Sequence, residues 1–332
     1  MTLAPRQPPP PGALPYLGPD GTWWDFQWSV QVKQPQIQIQ REYTPLPPPP
    51  DQPRADADGR IRFFVRRLPR GEVSNYLAKM NPGDSVELRL GERGYAFAHV
   101  GADTPEDVVC LAGGTGIATA MQVAHAVLGG NPARGRGVHP DTKVRIVWAV
   151  RTRSDLQSVR DPAKLAVLDG AVADLPGASD MARRLLEMKR HYGDKLSVQV
   201  AIDDEGTALA EADLKNALQI SPRTWARRPT RRPLYPCALP VPVAVLCEPE
   251  DPTTHTATTT AAAAAALETN HAPAADLHKP VFVCGPQGFV DKLAGEVVRH
   301  PSGATFRTGG LLGELDAKFG DPARPWLVLG FP

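Results

Sequence analysis

Two glycine-bearing turns, one near the middle of the chain and one near its carboxyl end, limit the possible folds most strongly. The first turn is Gly113-Gly114-Thr115-Gly116, and the second is Cys284-Gly285-Pro286. Each follows an apolar run and precedes an amphipathic run, which is the order strand, tight turn, helix. A helix start presents unpaired N–H groups and the positive end of the helix dipole, so it can hold phosphate. Two such turns in one parallel sheet can form the floor of a dinucleotide site.

The carboxyl-terminal part of the chain alternates between strand and helix patterns. Strands are predicted at 108–111, 144–150, 196–202 and 281–284, and helices at 117–128, 181–191, 211–218 and 288–298. Alternation at these lengths predicts a doubly wound α/β lobe with a parallel sheet, made of residues 105–220 and 280–332. The tail at 326–332 has no clear match to this pattern and is assigned no role.

The amino-terminal part follows strand periodicity instead. Apolar residues alternate in two short runs that break near residues 34–35, and further strands are predicted at 61–65 and 85–90. With a short helix at 73–80, this pattern predicts an antiparallel β-barrel over residues 23–104. Residues 1–22 are rich in proline and are expected to form a disordered leader. Because this leader is short, we expect the barrel to be truncated.

The composition of the chain bears on one segment and on the kinds of partner that the protein could have. Residues 221–279 join clustered arginines, prolines and a threonine–alanine run without any periodicity, which predicts a disordered low-complexity insertion or a segment that is not genuine coding sequence. The net charge of +1 disfavours a nucleic-acid partner. No apolar run reaches about 18 residues, so no membrane span is expected. The four cysteines have no C-x-x-C spacing, which predicts no structural metal site.

Both glycine turns also have a plainer interpretation. The turn at 113–116 could be a tight turn without a ligand, and it lacks the third glycine of the dinucleotide fingerprint because Thr119 stands there. Cys284 ends its strand at the carboxyl edge of the sheet, where ligands of such sheets bind, and its thiol could contact a flat ring. The alternative for Cys284 is a buried structural cysteine.

A second pair of motifs lies in the amino-terminal part. In Arg41-x-Tyr43-Thr44, the aromatic ring could stack on a flavin, the threonine could bond a flavin nitrogen, and the arginine could neutralise a pyrophosphate. The alternative is an ordinary edge strand. In Gly71-Glu72-Val73-Ser74, Ser74 and nearby N–H groups could hold a phosphate, or could form a plain helix N-cap.

One further polar segment, Arg151-Thr152-Arg153-Ser154, follows a predicted strand of the parallel sheet. An arginine there could meet an adenosine 2′-phosphate, or the segment could be a solvated loop.

In this order, the motifs R-E-Y-T, G-E-V-S, G-G-T-G-I-A and C-G-P-Q-G-F-V resemble the ferredoxin–NADP reductase superfamily, and most closely its cytochrome b5 reductase-like branch. The resemblance covers residues 23–220 and 280–316 and implies FAD and NAD(P)H as cofactors. The residues it implies for FAD are Arg41, Tyr43 and Thr44 at the ring and pyrophosphate, and Gly71, Val73 and Ser74 at the phosphates. Those it implies for NAD(P)H are Gly113, Gly114, Thr115 and Gly116 at the pyrophosphate, and Cys284, Gly285 and Pro286 beside the nicotinamide.

The resemblance also implies an activity. Hydride would pass from NAD(P)H to FAD between Tyr43, Thr44 and Cys284, the three residues implied to be catalytic, and electrons would then pass to a one-electron acceptor. The residue sequence of the motifs resembles a fungal mitochondrial group of flavoproteins more closely still. This resemblance implies a mitochondrial location and a haem or haem protein as acceptor. The alternative function is a non-enzymatic assembly or binding factor that retains the reductase fold.

Overall fold

The structure is a computed structural model. The residues it describes are 1–4, 26–50, 60–97, 100, 106–129, 137–156, 180–206, 209, 211–218, 279–299, 305–319 and 326–331. The predicted insertion at 221–279 lies outside the described residues except for Lys279, and so do residues 5–22 of the predicted leader. Across the described part, no helix is long and apolar enough to cross a membrane, and no cluster of His, Cys, Asp or Glu could hold a metal ion.

The amino-terminal half is built from antiparallel strands, as predicted. They are β1 (Thr2–Leu3), β2 (Phe26–Gln34), β3 (Ile39–Tyr43), β4 (Pro45–Leu46), β5 (Ile61–Phe63) and β6 (Glu87–Ala96). Among the described residues they form two three-stranded sheets, ordered β3-β2-β6 and β1-β5-β4, where the sequence predicted one barrel. One helix, α1 (Glu72–Ala78), accompanies them.

The core of this half follows from the alternation along β2. Trp28, Val30 and Val32 stand two residues apart, so they point to the same face of the sheet. All three are buried, and they pack with Phe63 of β5 and Val73 of α1. The strand periodicity visible in the sequence therefore marks the residues that join the sheets to the helix.

The first residues of the chain correct one prediction. The sequence predicted a disordered leader at 1–22, but Thr2 and Leu3 pair with Arg62 and Ile61 of β5. The terminal amine also donates a hydrogen bond to the Phe63 carbonyl over 2.9 Å. Backbone pairing of this kind does not depend on the composition of the following residues, which is why the proline-rich pattern concealed it.

The carboxyl-terminal half is the predicted α/β lobe. Its strands are β7 (Asp107–Gly113), β8 (Lys143–Val150), β9 (Leu196–Ile202), β10 (Lys279–Cys284) and β13 (Trp326–Phe331). They form one parallel sheet in the order β13-β10-β7-β8-β9. The helices are α2 (Ile117–Gly129), α3 (Asp180–Tyr192), α4 (Glu211–Ala217), α5 (Gln287–Ala294) and α6 (Gly310–Phe319).

Helices cover both faces of this sheet. Cys110 of β7 faces a core that includes α2 and α3, whereas its neighbour Leu111 faces a second core that includes α4, α5 and α6. Strands buried on both faces read as continuous apolar runs, which is the pattern found at 108–111 and 281–284.

Two details of this lobe differ from the sequence predictions. The helix predicted at 288–298 ends at Ala294, because Gly295 has a φ of 79° and leaves the helical conformation. The chain continues as β11 (Glu296–Arg299), which pairs with β12 (Thr305–Thr308) in an antiparallel hairpin. The tail that was assigned no role supplies β13, the edge strand beside β10.

Candidate functional site

The first glycine turn joins β7 to α2 at the carboxyl edge of the parallel sheet. Gly113 ends the strand, residues 114–116 form a single 3₁₀ turn, and α2 begins at Ile117. The indole N–H of Trp148, on the neighbouring strand β8, donates a 2.8 Å hydrogen bond to the Gly114 carbonyl. This contact fixes the path of the turn, and the sequence analysis did not anticipate it.

The second glycine turn packs directly against the first. A Cβ atom added to Gly116 would lie 2.2 Å from the carbonyl oxygen of Cys284, and one added to Gly285 would lie 2.8 Å from the carbonyl oxygen of Gly113. Side chains at these positions would push the two turns apart, so glycine is required by their mutual contact. The structure therefore brings both predicted turns together at one point of the sheet edge.

The Arg41-x-Tyr43-Thr44 motif lies on β3 and the residue after it. Tyr43 is half-buried and meets the Phe63 ring edge-on, with ring centroids 6.5 Å apart. Burial raises the pKa of the Tyr43 phenol, and the positive charge of Arg41 opposes this shift. Arg41 is exposed, and its guanidinium lies 3.7 Å from the Glu72 carboxylate at the start of α1. The first two FAD motifs therefore lie next to each other.

Ser74 lies in the first turn of α1 and is not its N-cap. Gly71 is the N-cap of α1, and Ser74 is buried within the first turn of the helix. Its hydroxyl donates to the Gly71 carbonyl and accepts from the Leu68 N–H. The prediction that Ser74 caps the helix is wrong, because this hydroxyl shapes the loop before α1. The Val73 side chain is buried in the core, so only the backbone of this residue is available to a ligand at the start of α1.

Thr44 connects the amino-terminal sheets to the glycine turns. Its hydroxyl oxygen lies 3.2 Å from that of Thr119, in the first turn of α2. Thr119 also hydrogen-bonds the Cys284 thiol. A line of three side chains thus runs from the R-E-Y-T motif to the second glycine turn, and the sequence placed two of its members, Thr44 and Cys284, in one site.

Cys284 itself is fully buried in this structure, as in the plainer interpretation of its sequence position. Burial raises the pKa of its thiol strongly, and the hydrogen bond from Thr119 opposes that effect only in part. The thiol is therefore neutral at physiological pH. Pro286, Gln287 and Gly288 are exposed at the same edge.

Gln122 fastens the two halves together one helical turn beyond Thr119. Its side-chain oxygen accepts from the Trp28 N–H over 3.2 Å, while its amide nitrogen donates to the Trp28 and Pro45 carbonyls over 3.2 and 2.8 Å. All these groups are buried, and each is satisfied by a partner. The sequence analysis missed Gln122, although a long polar side chain among the mostly apolar residues of this helix was a usable signal.

The loop after β8 contains the arginines considered for a 2′-phosphate. Arg151 is exposed, and its carbonyl accepts a 3.0 Å hydrogen bond from the N–H of Asp204 after β9. The side chain of Arg153 lies outside the described residues. The main chain of Asp204 therefore lies beside that of Arg151 at this edge of the sheet.

Comparisons with known proteins agree with these motifs. The FAD-binding domain of oxidoreductases matches residues 27–95. The cytochrome c mitochondrial import factor of Saccharomyces cerevisiae is 27% identical over 157 residues, or 36% of this chain and 42% of that protein. NADH-cytochrome b5 reductase 1 of Kluyveromyces lactis is 29% identical over 128 residues, or 39% of this chain and 40% of that protein. The chain thus spans under half the length of these curated relatives.

Solved structures give a distant likeness. The CS-b5R domains of human Ncb5or in the NAD⁺ form are 17% identical, with 56% of this chain and 45% of that chain covered and a TM-score of 0.38. Ferredoxin-NADP⁺ reductase from Plasmodium falciparum is 9% identical, with coverages of 59% and 67% and a TM-score of 0.37. The domain match and the curated relatives confirm the resemblance of the motifs, and residues 27–95 match the FAD-binding domain of oxidoreductases.

Proposed function

We propose that this protein is an NAD(P)H-dependent flavin oxidoreductase. Residues of β3 and α1 would hold FAD, the two glycine turns would hold the nucleotide, and the protein would align the nicotinamide with the flavin for hydride transfer. The observation that carries the proposal is the contact between Thr44 and Thr119, which joins the end of the FAD motif to the start of the helix after the first glycine turn.

The residues around β3 and α1 fit FAD by their chemistry. Arg41 offers an exposed cation beside the start of α1, and a pyrophosphate is the kind of group that such a cation holds. Tyr43 offers a half-buried aromatic ring, and Thr44 a hydroxyl next to it. With the Ser74 hydroxyl engaged by the loop, we assign the second phosphate contact to the backbone N–H groups at 72–74.

The nucleotide would lie on the other side of the Thr44–Thr119 contact. The partly exposed Gly114 and Thr115 of the turn Gly113-Gly114-Thr115-Gly116, just before α2, would receive its pyrophosphate, and Cys284-Gly285-Pro286 would border its nicotinamide. When bound, FAD supplies the redox chemistry, because it accepts a hydride and releases electrons singly. The protein contributes binding and orientation, and no side chain needs to act as general acid or base.

We assign NADH as the donor and a haem or haem protein as the electron acceptor. The curated reductase of Kluyveromyces lactis carries NADH in its name, which supports NADH as the donor. The name of the yeast relative refers to mitochondrial import of cytochrome c, which supports a haem acceptor and a mitochondrial location. The same relative supports the second candidate function, a binding factor that keeps the fold without catalysing electron transfer.

An anaerobic spectral titration tests the proposal. The full chain is purified, FAD is added, unbound FAD is removed, and NADH or NADPH is then titrated in. We expect flavin absorption bands that NADH bleaches faster than NADPH does. Bands that neither nucleotide bleaches would contradict the reductase and favour the binding factor.

Matched variants separate a specific FAD site from general charge effects. Arg41→Gln should weaken FAD binding about tenfold, because it removes the cation at the pyrophosphate. Arg183→Gln removes an equally exposed arginine on α3, far along the chain from the FAD motifs, and should leave FAD binding unchanged. Equal effects of the two substitutions would refute the assigned position of the pyrophosphate.

A further inference from the structure

We propose that Thr119 is a positioning residue, which holds the Thr44 hydroxyl on the flavin side and the Cys284 thiol on the nicotinamide side in one fixed arrangement. The inference rests on the proposed function and deepens it. It assigns a role to the residue that stands where the dinucleotide fingerprint has its third glycine.

The position of Thr119 explains how one side chain can serve both partners. The third glycine of the fingerprint normally permits close packing of the helix on the strand. In this chain a threonine fills that space, and it is 4% exposed. A hydroxyl has one donor and two acceptor sites, so it can bond the Thr44 hydroxyl and the Cys284 thiol together.

The threonine is also stiff. A threonine in a helix is largely restricted to two χ1 rotamers, so its hydroxyl has few directions available. The start of α2 is in turn held by Gly116, which contacts the main chain of Cys284. Displacement of either partner of Thr119 is therefore transmitted to the other one through a short and rigid path.

Docking of the two halves does not depend on Thr119 alone. Gln122 already makes three buried hydrogen bonds to Trp28 and Pro45. Removal of the Thr119 hydroxyl should consequently leave the halves assembled, and should loosen the local alignment of Thr44 and Cys284. An effect on alignment without an effect on assembly is the signature of a positioning residue.

The test compares Thr119→Val, which keeps the shape and removes the hydroxyl, with Thr119→Ser, which keeps the hydroxyl. We expect Thr119→Val to lower the limiting rate of flavin bleaching by NADH about tenfold, since small misplacements of reacting groups are costly. The FAD dissociation constant and the half-saturating NADH concentration should change less than about threefold. Thr119→Ser should retain most of the limiting rate.

Two controls separate positioning from general destabilisation. Thr142→Val removes another buried threonine hydroxyl, at the amino end of β8, and should leave the bleaching rate unchanged. The double variant Thr44→Val/Thr119→Val should be no slower than the slower single variant, because both substitutions break the same contact. The proposal would be overturned if the rate loss of the double variant equalled the product of the two single losses. It would also be overturned if Thr142→Val lost as much rate as Thr119→Val.

A measurement on flavin-free protein keeps this proposal distinct from the proposed function. The thiols of the full chain are labelled with a maleimide, and the labelled peptides are identified by mass. The maleimide should label Cys284 several-fold faster in the Thr119→Val protein than in the unmodified protein. The equally buried Cys110 on β7 serves as the internal reference. Unchanged labelling of Cys284 refutes the Thr119 link, whereas an unmodified protein that binds FAD without bleaching refutes the proposed function.

Discussion

The contact between the two glycine turns can be tested with a single methyl group. In Gly116→Ala the new carbon would lie 2.2 Å from the Cys284 carbonyl oxygen, 2.4 Å from its carbonyl carbon and 2.7 Å from the Gly285 nitrogen. Ordinary contact begins at 3.4 Å. All three neighbours are backbone atoms, so no side chain can rotate away, and the turns must separate by about 1 Å.

Overpacking of this kind costs about 1–3 kcal/mol, and we place Gly116→Ala at the upper end because the strain falls on two strands at once. With an unfolding entropy of about 2.1 cal/mol/K per residue, about 3 kcal/mol in a chain of 332 residues corresponds to a fall in Tm of roughly 4 °C. The limiting rate of flavin bleaching should also fall, because the start of α2 moves away from Cys284.

Differential scanning calorimetry and urea unfolding measure this effect. The matched control is Gly288→Ala in α5, where an added Cβ meets nothing within 4 Å. This substitution should leave stability unchanged or raise it by up to about 1 kcal/mol, since alanine favours helix over glycine. A Gly116→Ala protein with the Tm of the unmodified chain would refute the described packing of the turns.

Three further substitutions test the surroundings of the site. Gln122→Leu leaves buried main-chain groups without partners and should cost about 2–4 kcal/mol of unfolding free energy in urea. Trp148→Phe removes the hydrogen bond to the Gly114 carbonyl, and should raise the half-saturating NADH concentration in the bleaching assay with a stability loss of about 1 kcal/mol. Burial, aided by the nearby His191, lowers the pKa of His125 from 6.5 to about 4. The unfolded chain therefore takes up this proton first as pH falls, so stability should drop between pH 6.5 and 4 by up to about 3 kcal/mol, and urea unfolding of His125→Gln should show less of this drop.

The sequence was sufficient to predict the strands and helices that a local pattern of apolar residues defines. The runs at 108–111 and 281–284 became the central strands β7 and β10, because strands buried on both faces need continuous apolar residues. The edge strand β13 was missed, since its pairing with β10 depends on residues far away in the chain. The helix after β10 was drawn too long because Val297 continues the apolar pattern beyond the turn at Gly295.

The candidate site was predictable to a similar extent. Local motifs placed Arg41, Tyr43 and Thr44 on one strand end, and the structure joins them to the glycine turns through Thr119. What local motifs could not give is the partner of each polar group. Ser74 was assigned to the FAD phosphates by the family resemblance, and the motif alone did not reveal the bonds of its hydroxyl to Leu68 and Gly71.

The Gln122 side chain forms hydrogen bonds only with main-chain atoms of the opposite half. Its partners are the N–H and carbonyl of residue 28 and the carbonyl of residue 45, groups that every amino acid at position 28 except proline, and every amino acid at position 45, would supply. This part of the attachment between the lobes therefore does not depend on the side chains at positions 28 and 45, and it is supplemented by the Thr44–Thr119 contact and by the hydrogen bond from Arg184 to the Pro47 carbonyl. Sequences that diverge at positions 28 and 45 can keep the Gln122 contact, provided that this amide and the paths of those two strands persist.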